Sequence, residues 1–134
     1  MLTLKQVPFD DIKQWWDKVE NYIASALKYS DDYTVEQIKE YVIGGALELI
    51  IITDNDEIKG AIVVSFINYP NHRIAFIIAI GGKLISNPDT FKQLCEIAKA
   101  HGATKIQGAV RDSVARLWKR FGFFEKYSIV ETNV

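Results

Sequence analysis

The spacing of apolar residues changes period along this chain, and each change marks a new element. Leu2, Leu4 and Gln6 alternate with Thr3 and Lys5, which predicts a short first strand ended by Pro8. Ile12, Trp15, Trp16, Val19, Tyr22, Ile23, Ala26 and Leu27 then recur at helical spacing and place one apolar face on a helix from Asp10 to Lys28. Ser30-Asp31-Asp32 interrupts this pattern. Thr34 and Gln37 form a capping-box arrangement for a second helix, with Val35, Ile38, Tyr41 and Val42 inward and Gly44-Gly45 as its stop.

The next segments are rich in β-branched residues. Leu47 to Thr53 and Ile58 to Asn68 flank the polar turn Asp54-Asn55-Asp56-Glu57, which predicts a hairpin. Arg73 to Ile80 follows the turn Tyr69-Pro70-Asn71 and is almost wholly apolar, as expected of a strand covered on both faces. Helical spacing returns with Phe91, Leu94, Cys95 and Ala98, closed by His101-Gly102. Thr104 to Val110 reads as a strand, Asp112 as the cap of a fourth helix with Val114, Leu117, Trp118 and Phe121 on its stripe, and Phe123 to Val130 as a last strand after Gly122. The order β-α-α-β-β-β-α-β-α-β predicts an α/β (α+β) fold, a single domain over residues 1–134 with a mixed central sheet packed by helices.

Composition narrows the partners. A chain of 134 residues has room for one domain, and its 16 Lys+Arg against 17 Asp+Glu leave no strong field toward nucleic acid or membrane. Cys95 is the only cysteine, so no internal disulfide forms, and with no apolar leader or membrane-length run the expected location is cytoplasmic. Cys95 itself reads as a small inward-facing hydrophobe. His72 and His101 lie far apart without ligand spacing, so no metal site is expected. Arg116, Lys119 and Arg120 share a helix face, with Arg111 and Lys126 nearby; without interleaved aromatics this reads as a solvated face. Trp15 and Trp16 are adjacent and cannot both point directly into one core, so either one rests on the rim with Tyr22 or Tyr29 as an exposed aromatic patch, or both border the core from either side.

The element order, together with the phrase Ala115-Arg116-Leu117-Trp118-Lys119-Arg120-Phe121-Gly122-Phe123, resembles the GCN5-related N-acetyltransferase (GNAT) superfamily. The resemblance implies a coenzyme A loop of the form Gln/Arg-x-x-Gly-x-Gly/Ala after the central strand. In the stretch Gly81 to Leu94, GGKLISNPDTFKQL, that pattern places its first position on Ser86 and its glycines on Asp89 and Phe91. Side chains there obstruct a close backbone approach, and Asp89 repels a pyrophosphate from a first turn that Asn87 and Pro88 also help to open. Lys83 is a weak substitute, and Gly81-Gly82 reads as a strand-end turn or bulge rather than a phosphate cradle. Trp118 stands where many members carry a tyrosine acid, and an indole N–H is no proton donor at physiological pH. Ile74 to Ile80 offers no Asp, Glu or His, leaving His72 as the nearest candidate base, with a solvated turn histidine as its plainer reading.

The resemblance therefore implies a catalytically degenerate GNAT-fold protein, expected to use no cofactor and to act as a structural or protein-binding module. A protein partner or a homo-oligomer is expected. The short form also resembles GNAT-like proteins of tailed-phage genomes, some associated with the virion interior or its assembly, which implies phage structural proteins as partners and a location in the host cytoplasm or virion. The alternative is an active acyl-CoA-dependent N-acyltransferase with acetyl-CoA as donor. It would use backbone groups of Ile78, Ala79, Ile80, Gly81 and Gly82 for the pantetheine, Lys83 for a phosphate and His72 as base.

Overall fold

The computed structural model describes residues 2–82 and 88–134. Lys83, Ser86 and Asn87, with the phosphate readings considered for Lys83 and Ser86, lie outside the described residues. Five strands form one sheet in the order β1-β2-β3-β4-β5: β1 (Leu2–Gln6), β2 (Glu48–Asp54), β3 (Glu57–Asn68), β4 (Arg73–Gly82) and β5 (Lys105–Gly108). Neighbours are antiparallel except β4 and β5, which run parallel. Helices α1 (Ile12–Leu27) and α2 (Val35–Ile43) cover one face; α3 (Pro88–Ala100) and α4 (Asp112–Trp118) cover the other.

The apolar runs follow from this sandwiching. Along β2, Leu49 and Ile51 join the core under α1 and α2, while Ile50 and Ile52 join the core under α3 and α4. All four are at most 3% exposed, so every position of the strand must be apolar. Trp16, Val19 and Ile23 carry α1 into its core, and Trp15 stays on the rim, with Lys18 Nζ 4.9 Å from its ring centre.

Local chemistry sets several boundaries. The Thr34 hydroxyl accepts from the Gln37 amide and the Gln37 side chain accepts from the Thr34 amide, which completes the capping box of α2. Asn55 and Asp56, at φ 51° and 65°, make a two-residue hairpin turn whose twist matches its flanking strands. Gln93 on α3 has a less local task. It accepts from the Leu4 amide at 2.9 Å and donates to the Leu2 carbonyl at 3.0 Å, so a side chain stands in for a neighbouring strand along the open edge of β1.

Four sequence expectations change. Residues 123–134 form no strand, because no strand pairs with them and β-branched content alone satisfies no backbone group. Tyr41 points outward, 48% exposed, and meets Tyr33 edge-on at 6.4 Å. Arg111 rather than Asp112 occupies the cap of α4, and Asp112 is its first helical residue, where its charge suits the helix end. The central strand also runs on through Gly81 and Gly82.

Candidate functional site

β4 is bent by a local irregularity. Val63 pairs with Ala79 and Val64 with Ile77, which leaves Ile78 as an extra residue on β4. The bulge changes which face each side chain meets: Ala75 and Ile77 enter the core under α3 and α4, whereas Ala79, two residues further on, enters the core under α1 and α2. At the same level β4 and β5 part. Their pairing runs from Ile74–Lys105 to Ile77–Gly108 and stops, while β4 continues to Gly82.

Side chains hold the two strands apart. A Cβ on Gly108 would lie 3.0 Å from the Trp118 ring, so α4 presses its indole against the end of β5. Trp118 is 3% exposed and leans on Phe123 at 4.9 Å. It is a packing residue of this wedge. The Arg111 guanidinium lies 3.7 Å from the centre of the Tyr29 ring and ties the segment after α1 to the β5–α4 connection. The splay thus offers an unpaired stretch of β4 backbone at Ile78 on the side facing β5.

The two glycines after Ile80 have structural duties. A Cβ on Gly81 would sit 2.1 Å from the Tyr22 carbonyl oxygen of α1. One on Gly82 would sit 2.3 Å from the Lys59 carbonyl oxygen of β3, and Gly82 has φ +98°. They permit a close approach of α1 and of β3, where the sequence suggested a strand-end turn. Both belong to β4 and are paired with β3, Gly81 with Ala61 and Gly82 with Gly60.

The remaining candidates lie elsewhere. His72 sits in the β3–β4 turn with its carbonyl accepting from Tyr69, six residues before Ile78 and so about 20 Å from the splay along an extended strand. The structure does not bring it to the bulge. His101 occupies the same end: its ring stacks on Phe66 at 4.5 Å and shares a hydrogen bond with Gln6 Oε1 at 2.7 Å, while its carbonyl accepts from Arg73 Nε. Asp89 is exposed in the first turn of α3 and accepts from Gln93 Nε2 at 3.0 Å. Phe91 turns away from that turn, stacked on Phe121 at 5.5 Å and edge-on to Phe123. Cys95 is half-buried, and burial raises its thiol pKa above the ordinary value. Among the described residues no cluster of His, Cys, Asp or Glu could hold a metal ion, and no helix is long and apolar enough to cross a membrane.

Sequence reading missed Gln93, the Tyr29–Arg111 pair and the bulge at Ile78. The first has a local trace, Asp89 and Gln93 lying one helical turn apart. The other two depend on residues brought together only by the fold.

No family model matches the chain, and no curated protein matches it. Solved structures match over its whole length. A protein described as a predicted acetyltransferase from Clostridium acetobutylicum, solved with acetyl-CoA, is 16% identical at a TM-score of 0.68, covering 99% of this chain and 96% of its own. The protein AAC(6')-Iy, solved with a CoA-linked bisubstrate analogue, is 11% identical at 0.71, covering 100% and 98%. A transcriptional regulator from Bacillus halodurans is 19% identical at 0.64, with full coverage of both chains. The chain has the GNAT acetyltransferase fold.

Proposed function

We propose that this chain is an acyl-CoA-dependent N-acyltransferase, passing an acyl group directly from a thioester to an amine. The observation that carries the reading is the β4–β5 splay with its bulge at Ile78, present on a fold two of whose solved counterparts hold acetyl-CoA or a CoA analogue. An extended pantetheine arm is a strand-like ligand. The backbone around Ile78, unpaired on the side facing β5, suits such an arm by β-type hydrogen bonds. The donor supplies the activated acyl group, and the chain's contribution is to hold and orient it.

The described residues fit the arm better than its diphosphate. Pro88 has no N–H to offer and Asp89 brings negative charge to the first turn of α3. Proton handling is equally sparse: β4 carries no Asp, Glu or His, and Trp118 is buried against Gly108. Solvent would therefore take the amine proton and protonate the departing thiolate.

Asp89 and Trp118 also favour a second reading, a structural or protein-binding module without coenzyme, for instance a phage virion or assembly component. Calorimetry with acetyl-CoA and with CoA decides between them. Binding at micromolar strength supports the acyltransferase. Silence at millimolar coenzyme overturns it and leaves the module. A neighbourhood of capsid and tail genes would favour the virion role.

A further inference from the structure

The first turn of α3, with Pro88 and Asp89, is a poor phosphate site, so a diphosphate attached to an arm in the splay needs cations from elsewhere. α4 and the 3-10 turn Lys119–Phe121 that continues it supply them. Trp118 pins this segment to Gly108 at the end of β5, and Phe121 stacks at 5.5 Å on Phe91 near the start of α3. The segment therefore runs from the point where β4 and β5 part to the turn that Asp89 closes to anions.

Ser113, Arg116, Leu117 and Arg120 line an open depression of about 410 Å³ on that segment. Leu117 packs on the core under α3 and α4, which leaves the two exposed guanidiniums and the Ser113 hydroxyl at the rim. Among the described residues neither arginine has a carboxylate partner. Asp112, one turn before Arg116, forms no ion pair with it, and Glu125 is held by Lys119 at 3.5 Å. Like charges four residues apart on a helix repel, and an anion between Arg116 and Arg120 relieves that repulsion. Guanidinium forks also suit a diphosphate, because each presents paired N–H donors to two oxygens.

We propose that Arg116, Arg120 and Ser113 form a diphosphate site on the solvent side of α4, with the diphosphate of coenzyme A as its ligand. The choice of ligand rests on the acyltransferase reading; the site itself does not. Phosphate binding thereby moves from the backbone amides of α3 to the side chains of α4, and the first turn of α3 is free to carry Pro88 and Asp89.

Calorimetry on the intact chain tests this with CoA, pantetheine and inorganic pyrophosphate, in about 0.15 M salt to screen diffuse attraction. CoA should bind the parent chain more tightly than pantetheine does. Arg116→Ala and Arg120→Ala should each weaken CoA and pyrophosphate about tenfold and leave pantetheine unchanged. Both side chains are exposed, so neither change should alter the thermal melt. Lys119→Ala removes the same charge from a neighbouring position and should have little effect. CoA binding that survives the double arginine variant, or that Lys119→Ala weakens equally, overturns the site and leaves the acyltransferase reading intact. Pyrophosphate binding that depends on both arginines while CoA stays silent supports the site and sinks that reading. Silence with CoA and pyrophosphate alike overturns both.

Discussion

Replacing Gly81 by alanine tests how closely α1 lies on the sheet. Gly81 does not have a positive φ, so its backbone admits any residue, and only space opposes a side chain. The added Cβ would meet the Tyr22 carbonyl oxygen at 2.1 Å and the carbonyl carbon at 2.7 Å, both backbone atoms that no rotamer change can move. Restoring ordinary contact at 3.4 Å requires α1 to retreat by about 1.3 Å. A gap of that order forfeits much of the dispersion energy between Val19, Ile23 and the strands beneath them, so the expected destabilisation is about 3 kcal/mol. Urea unfolding reads this as a midpoint lower by roughly 1.5 M, taking a slope of about 2 kcal/mol/M that itself stays unchanged. Gly45→Ala is the control. It has φ +83° with nothing within 4 Å, so it should cost only the left-handed backbone, about 1 kcal/mol. Equal losses in the two variants would refute the close-approach argument.

Gln93→Ala should cost about 2 kcal/mol, because it removes both bonds to the β1 edge; an unchanged melt would show that water replaces them fully. Burial raises the Cys95 pKa, Lys99 lowering it and Glu96 raising it further. The folded chain thus keeps a proton the unfolded chain has lost, so this stabilisation is present below the ordinary thiol pKa and fades as pH climbs through the folded value. Melts into the alkaline range should fall less steeply for Cys95→Ser, and parallel curves would contradict the assignment. If the chain transfers acyl groups with solvent as base, kcat/KM should rise tenfold per pH unit up to the amine's own pKa. A plateau near neutrality would reveal a protein base.

The parts legible in sequence are those set by neighbours in the chain. Thr34 and Gln37 announce the α2 cap because both bonds span three residues. The helical period of α1 and the Asn55-Asp56 turn are equally local. Gly81 and Gly82 carried a visible signal, but its cause lies in the backbones of α1 and β3, far away in sequence. The bulge at Ile78 left no trace, since apolar side chains on both faces of β4 hide the change of parity. The strand expected at Phe123 to Val130 rests on composition alone, and among the described residues the segment finds no strand to pair with.

The single parallel junction gives the molecule an uneven resistance to opening. β2, β3 and β4 are joined by short turns and bonded along most of their length, whereas β5 is attached by pairing at only four residues and returns through a long crossover. Native-state hydrogen exchange should release the β5 amides first. The antiparallel meander would stay shut while the C-terminal third detaches as a separate cooperative unit.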